Sequence, residues 1–491
     1  MSEQQITRNI RTEAEVAGLL DKPLFHHIGE AADSVNMPCY AVGGCVRDLF
    51  LSRPSKDYDF VTVGSGIELA SEVARRMGRG AKLNVFRTYG TAQVKRRDLE
   101  LEFVGARKES YSKDSRNPTV EEGTLEEDLS RRDFTVNALA VKMNREGFGE
   151  LVDLFGGLGD MRRGILRTPL DPDVTFSDDP LRMMRAVRFA SQLGFEIWPE
   201  TFAAITRNAE RIRIITKERI ATELGKIMES PRPSVGLTLL LKSGLLAIIF
   251  PELAAMHGVE TINGRGHKDN FGHTVAVLDN VAAVSDNVWL RWAALLHDIA
   301  KPVTKRWDER VGWTFHNHNF VGAKMVPRIF RTLRLPMDRK MNYVAKLVEL
   351  HMRPAALVED EVTDSAVRRL ITYAGEDLED LMTLAEADVT SRNKEKVKRI
   401  LDNFRLVRTK LADLKQRDEI SSVRPPVDGN DIMEAFGIGG GPLVGKIRNA
   451  ILEVAVERFV EGGTAFPRRE AVELMYKVGA EHGLEPVKQI E

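Results

Sequence analysis

"AVGGCVRDLFLSRPSKDYDFVTVG", residues 41–64, gathers a glycine pair, an Arg-Asp pair and two alternately spaced aspartates into one short run. Its ends read as buried strands, and "CVRDLFL" between them has the spacing of a short helix. Asp57 and Asp59, at i and i+2 on the second strand, project their carboxylates from one face. Two negative charges held so close repel each other unless a cation lies between them, and hard divalent ions such as Mg2+ take oxygen ligands of this kind. At the other end, Gly43 and Gly44 let backbone amides approach a phosphate at a helix N-terminus, and Arg47 adds a charged fork for the same triphosphate. A D-x-D or a glycine pair alone marks little; their joint occurrence in a strand–turn–helix–strand frame marks a nucleotide and metal site.

Outward from this stretch, "KLNVF", "TAQVKR" and "LELEFVGAR" read as further strands and "GIELASEVARRMG" as an amphipathic helix. Alternation in "LELEFVGAR" turns Leu99, Leu101 and Phe103 one way and Glu100 and Glu102 the other, offering a third carboxylate for a two-metal site. Residues 108–123 are polar, with Pro and Gly, and read as a mobile loop; Thr124 and Glu127 then form a capping-box pattern. After about residue 165 the periodicity turns helical, with a linker composition at 420–430. The expected architecture is α+β: a small head with a mixed sheet and helices, followed by an all-helical remainder. Four domains are expected, at 22–165, 166–260, 261–400 and 401–491.

Composition sets the frame. A chain of 491 residues exceeds one ordinary core, and 43% hydrophobic with 29% charged residues suits several soluble domains. No apolar run reaches membrane length, so no membrane partner is expected. The only cysteines, Cys39 and Cys45, make neither a disulfide scaffold nor a zinc site, and a cytoplasmic location is the expectation. Net charge is −1, but basic clusters recur in the first 190 residues, among them Lys95-Arg96-Arg97 and Arg182, Arg185 and Arg188. Such clusters neutralise phosphates or form a solvated face.

"GGCVRD" (43–48) followed by "DYD" (57–59) resembles the first motif of class II tRNA nucleotidyltransferases and bacterial poly(A) polymerases, within the polymerase-beta-like superfamily. The resemblance implies Asp57, Asp59 and Glu102 as catalytic Mg2+ ligands, Glu102 being the acid separated by four residues from an arginine, Arg107. "RRDFTVNALA" (131–140) resembles the ribose-recognition motif and implies that Arg132, Asp133 and Asn137 contact the sugar. "LVDLFGGLGDMRRGILRT" (151–168) resembles the next motif, a hairpin and turn closing the head. "DDPLRMMRAVRF" (178–189) resembles the motif that templates the incoming base, with Asp178 in place of its usual leading Glu. Asp179 and Arg182, at i and i+3, are expected on one helix face. Asp accepts from an exocyclic amine and Arg donates to the neighbouring ring acceptor, so cytosine and adenine fit while uracil and guanine are mismatched. "ERIATELGKIME" (218–229) matches the last motif, where Arg219, Glu223 and Lys226 brace the template helix.

Seven of the ten histidines lie between His257 and His351. "HTVAVLDN", "RWAALLHDIAKP", "FHNHNFVGA", "LVELHMRP" and "EADVTSRN" together resemble the HD superfamily of metal-dependent phosphohydrolases. That likeness implies His273, His297, Asp298 and Asp388 as ligands of a divalent metal and His318 and His351 as ligands of a second ion. Lys301 would meet a phosphate, and His316 and His267 are lesser candidates.

The implied activity is CCA addition: C, C and A from CTP and ATP onto the 3′ end of tRNA without a nucleic-acid template, releasing pyrophosphate, with the 108–123 segment gating the change from C to A. The rival within the family is a template-independent poly(A) polymerase. Such enzymes carry a basic Arg-Arg-Phe-Arg-like segment where this chain reads "KLNVFRTYGTAQV". Enzymes adding only A or only CC share the same motifs. From other classes come an HD phosphohydrolase as the main activity and an RNA-binding protein with an inactive head.

Overall fold

The computed structural model describes residues 8–54, 57–112, 115–267, 269–359, 364–391, 393–422, 424–462 and 465–490. The fold is α+β, a sheet-containing N-terminal head followed by helices, and it divides into two compact units, 1–351 and 352–491.

In the first unit a seven-stranded sheet has the order β3-β4-β5-β2-β1-β8-β9. Its strands are β1 (Cys39–Val42), β2 (Asp57–Thr62), β3 (Lys82–Phe86), β4 (Thr91–Arg96), β5 (Leu99–Gly105), β8 (Ala140–Lys142) and β9 (Leu151–Val152). All neighbours run antiparallel except β2 and β5, which are parallel and pair Asp59 with Glu102. A parallel pair needs a crossover. Here it includes an amphipathic helix, Gly66–Met77, started by the Ser65 hydroxyl accepting from the Glu68 amide and ended by Gly78 at φ 69°. Leu69 and Val73 of that helix are buried, as are Phe60 and Phe103, whose rings stack 5.1 Å apart between β2 and β5. That face of the sheet is closed.

Two readings are corrected here. Residues 108–123 form most of an antiparallel ribbon, β6 (Arg107–Ser112) with β7 (Ser115–Glu122), rather than a loop; residues 113 and 114 lie outside the described residues. Its pairs set Arg107 opposite Glu122 and Lys108 opposite Glu121, so opposite charges supply the cross-strand pairing that apolar alternation supplies elsewhere. Residues 151–168 form a strand, a helix (Gly157–Arg163) and a strand (Ile165–Leu166), not a hairpin, and Ile165–Leu166 pairs in parallel with Glu196–Ile197. The Asp153 carboxylate turns the chain by accepting from the amides of Gly157 (2.8 Å) and Leu158 (2.9 Å).

Beyond the head come α1 (Pro172–Asp178), α2 (Leu181–Leu193), α3 (Lys217–Met228) and, further along, α4 (Asn270–Val284), α5 (Val288–Leu296), α6 (His318–Thr332) and α7 (Arg339–Leu350). Buried Arg291 of α5 donates to the carbonyls of Met228 (2.9 Å) and Ser230 (3.1 Å), meeting the C-terminal end of α3 with a positive charge. In the second unit, helices including Gly429–Phe436, Pro442–Gly462 and Arg468–Glu481 share a core of Ile432, Phe436, Ile447, Ile451 and Met475. No helix among the described residues is long and apolar enough to cross a membrane.

The helix Pro23–Ser34 touches the strand end after β8 through Gly29, where a Cβ would stand 2.0 Å from the Met143 carbonyl oxygen. Gly29→Ala is expected to cost about 1–3 kcal/mol by overpacking. Gly18→Ala, with nothing within 4 Å of the added methyl, serves as the control. Thermal unfolding that leaves the two variants alike refutes the contact.

Candidate active site

β1 ends at Val42 and the chain turns through Gly43, at φ 76° and ψ −134°, into the helix Gly44–Phe50. A side chain at Gly43 would be strained by φ, and its Cβ would lie 2.7 Å from a terminal nitrogen of Arg132. Antiparallel pairing sets Val42 opposite Asp59, so this turn lies beside the aspartate strand.

A cavity of about 510 Å³ opens here. Its acidic end holds Asp59 and Glu102, adjacent across the parallel pair, and Asp57 stands at the exposed start of β2. Burial raises the Asp59 carboxyl; Arg132 pulls it back and the Asp57 charge adds to the rise. Burial and the charges of Asp59 and Glu100 raise Glu102, with Arg107 opposing. Of the two acids that face this side from β5, Glu100 is held by Lys95 at 3.0 Å and by the Gln93 amide, and Glu102 lines the cavity. Hard oxygen donors that destabilise one another's charge fit a divalent cation such as Mg2+.

The opposite end is basic. Arg47, 8% exposed, donates to Asn137 Oδ1 at 2.7 Å and pairs with Asp48. Asn137 donates to Asp133 Oδ1 at 2.9 Å, and Arg185 of α2 binds Asp133 Oδ2 at 2.6 Å. Asp128, fully buried, holds Arg131 at 2.6 Å and Arg132 at 3.1 Å. Guanidinium carbons of Arg188, Arg47 and Arg185 lie 4.1, 4.9 and 5.5 Å from the Phe189 ring centre. Such cation–π packing holds positive charge against an apolar floor.

Asp179 and Arg182 both line this cavity, but they do not share a helix face as the spacing suggested. Asp179 is extended (φ −131°, ψ 97°) between α1 and α2, and its Oδ1 accepts from the Leu181 amide at 3.1 Å. Proline at 180 disfavours helical geometry in the residue before it. Arg219 also lines the cavity, Glu223 pairs with Arg188 at 2.8 Å, and the Lys226 carbonyl accepts from Gln192 at 3.4 Å. Sequence reasoning named Arg185 and Arg188 only as part of a basic cluster and gave Phe189 no part, although the spacing of these residues by threes and fours was the signal.

A second constellation surrounds Asp298, which follows α5. Its Oδ2 lies 3.3 Å from His297 Nε2 and 3.6 Å from His273 Nε2; its Oδ1 lies 3.2 Å from His318 Nε2 and 3.9 Å from His351 Nε2. The Nδ1 atoms of His297, His318 and His351 each meet a backbone carbonyl, at 2.7, 2.8 and 2.7 Å. With Nδ1 bonded to a carbonyl, each ring turns its Nε2 toward the carboxylate, where it donates when protonated and would bind a metal when neutral. Ligand atoms of Asp298, His318 and His351 lie within 4.8 Å of one another. Burial alone would raise the Asp298 carboxyl, but His297, His318 and Lys301 carry it well below the usual range. Nitrogen donors around an ionised carboxylate suit a borderline divalent metal. Lys301 sits on Asp298 at 2.5 Å, His267 packs edge-on against Trp313, and His316 is exposed. Asp388 lies in the second unit, directly after the helix Leu378–Ala387.

Comparison with known proteins places this geometry in a family. Residues 39–167 match the poly A polymerase head domain, 194–256 the probable RNA and SrmB-binding site of polymerase A, and 270–393 the HD domain. An A-adding tRNA nucleotidyltransferase of Deinococcus radiodurans is 32% identical over 421 residues, 84% of this chain and 90% of that protein. The chain belongs to the tRNA nucleotidyltransferase family. A CC-adding tRNA nucleotidyltransferase of Thermus thermophilus is also 32% identical, over 434 residues, 85% of this chain and 89% of that one. Among solved structures, a tRNA nucleotidyltransferase complexed with a primer tRNA and an incoming ATP analog is 26% identical, with a TM-score of 0.54 over 78% of this chain and 99% of that one. The protein is thus an enzyme of nucleotidyl transfer, with an HD domain following its polymerase head in the sequence.

Buried Asp133 gives the site an acid limit. Burial would raise its carboxyl, but Arg185, Asn137 and Arg182 outweigh it and lower the group from 3.8 to about 2. A lowered carboxyl stabilises the fold above its unfolded value and loses that contribution as pH falls through the folded one. About 2 kcal/mol should therefore be present above pH ~4 and disappear toward pH ~2. Urea unfolding of Asp133→Asn should show a flatter dependence across this window, together with lower stability at neutral pH; an unchanged slope refutes the assignment.

Proposed function

We propose that the protein adds C, C and A from CTP and ATP to the 3′ end of tRNA. The observation that carries this reading is the convergence of Asp59, Glu102, Gly43, Gly44, Arg47, Asp179 and Arg182 on one cavity. Gly43, Gly44 and Arg47 hold the triphosphate at the basic end. Arg132 and Asn137, with Asp133 fixing the amide of Asn137, line the sugar. Asp179 accepts from the exocyclic amine of the base, and Arg182 donates to the ring acceptor beside it, which admits C and A alike.

Asp57, Asp59 and Glu102 would hold Mg2+, which when bound activates the attacking hydroxyl and stabilises the departing pyrophosphate. The acceptor 3′ oxygen forms a bond to the α-phosphorus as the bond from that phosphorus to the oxygen bridging to the β-phosphate breaks. The hydroxyl proton leaves to water and pyrophosphate departs. The 108–123 segment gates the change from C to A. The four-domain division at 22–165, 166–260, 261–400 and 401–491 assigns these tasks to a catalytic head, a base-reading neck, an HD body and a tRNA-binding tail. Free, buried Cys39 and Cys45 support a reducing, cytoplasmic setting.

A second reading, addition of the terminal A alone, is favoured by the Deinococcus relative. One experiment separates the two. Given tRNA lacking its 3′ end and all four triphosphates, wild-type protein should leave ends in CCA. Extension only of tRNA already ending in CC supports the A-adding reading, and an open-ended A tail refutes both. Asp59→Ala should lower addition by about 10²-fold or more.

For the HD domain we propose a divalent metal on His273, His297 and Asp298, a second ion at His318 and His351, and phosphohydrolase activity there. Family likeness adds Asp388 to the first set. Elemental analysis should find metal that Asp298→Asn loses. Hydrolysis of 2′,3′-cyclic nucleotides to nucleoside monophosphates should fail in His297→Ala and survive in Asp59→Ala. Metal content unaffected by Asp298→Asn overturns the site.

A further inference from the structure

We propose that the carboxylate-bearing face of the sheet continues across β5, β4 and β3 as the seat of the single-stranded 3′ end of the RNA acceptor. This rests on the nucleotidyl-transfer reading above. All the groups assigned to the triphosphate and sugar lie on the β1 side of Asp57 and Asp59, in the turn after β1 and the segment before β8. Displacement at phosphorus is in line, with the attacking oxygen opposite the leaving one. A leaving pyrophosphate on the β1 side therefore brings the acceptor in from the β5 side.

The face on that side is continuous and matched to RNA. Register carries the row Asp59–Glu102 on through Gln93 of β4 to Asn84 of β3, and the adjoining row from Glu100 through Lys95 to Lys82. These side chains meet one another: Asn84 donates to Gln93 Oε1 at 3.4 Å, Gln93 donates to Glu100, and Lys95 pairs with Glu100 at 3.0 Å. Two residues past Asn84, on the same face of β3, stands Phe86, 48% exposed. The helix Gly66–Met77 packs on the reverse face, where Phe103, Ala92 and Val94 are buried.

From β5 to β3 is two strand spacings, about 10 Å, the reach of the nucleotide or two before the reacting hydroxyl. A stacking ring and two lysines on one sheet face, with the Asn84–Gln93 row between them, suit single-stranded nucleic acid, and stacking tolerates any base. That tolerance suits an acceptor whose last nucleotides change as its end grows.

The test uses the full-length protein with tRNA acceptor. Phe86→Ala should raise the acceptor KM at least about fivefold, and Lys82→Ala should raise it with a shallower salt dependence. ATP affinity by equilibrium binding and the unfolding temperature should not move, and Phe86→Trp should restore the acceptor KM. A photoreactive base next to the acceptor terminus should crosslink to residues 82–95. Addition that proceeds with an unchanged acceptor KM in both alanine variants, or crosslinks confined to other segments, overturns this proposal and leaves the transfer reading standing. A wild-type protein that adds no nucleotide removes both.

Discussion

One parallel strand pair organises the catalytic half of the molecule. β2 and β5 run the same way in a sheet that is otherwise antiparallel, and this pairing puts Asp59 beside Glu102. Antiparallel partners could be joined by a tight turn; a parallel pair cannot. The connection must leave the sheet, and the helix that begins it has an apolar stripe that closes the face bearing Phe60 and Phe103. The other face, with its acids, stays open. The same constraint that joins the carboxylates therefore decides which side of the sheet the substrates can reach.

The cavity above that face is polar in the electrical sense, acidic at β2–β5 and basic at the neck. Loose surface arginines would not keep that separation. Here each carboxylate behind the wall fixes its own guanidinium: Asp128 holds Arg131 and Arg132, Asp133 holds Arg185, and Glu223 holds Arg188. Paired burial is expensive to break, because the surviving charge is left desolvated. The pairs neutralise part of the positive charge, and what they contribute in return is position, on guanidinium forks that line the cavity.

Legibility in the sequence followed physical cause. β4 and β5 were readable because a half-buried strand writes period-two alternation into its residues, β1 and β2 as short apolar runs, and the Gly66–Met77 helix because a packed helix writes its own period. The 108–123 segment was read as a loop because its paired residues, such as Lys108 with Glu121 and Ser110 with Thr119, are charged or polar and leave little apolar trace. Asp179 was placed on a helix by counting residues to Arg182, yet Pro180 in between was the stronger signal. Both residues still reach the cavity, since a carboxylate capping the helix start and an arginine in its first turn point to one end. Whether Glu100 or Glu102 faced the site was not decidable from alternation, which treats them alike. Lys95 and Gln93 engage Glu100, and only the register of β4 on β5 shows that.

The two candidate metal centres use opposite means to create affinity. In the head, carboxylates of one sign crowd together beside solvent, and their own repulsion is what a cation relieves. Around Asp298 the charge is single and buried, and the work of orientation falls to the backbone. Carbonyls three residues upstream hold Nδ1 of His297, His318 and His351, so each Nε2 is turned toward Asp298. Oxygen donors that repel favour a hard ion exchanged with substrate, whereas preset imidazoles favour a borderline ion that stays. On the proposed reading the chain would join a site whose cations travel with triphosphates to one suited to a resident metal, and this difference in donor chemistry would keep the two from competing for the same ion.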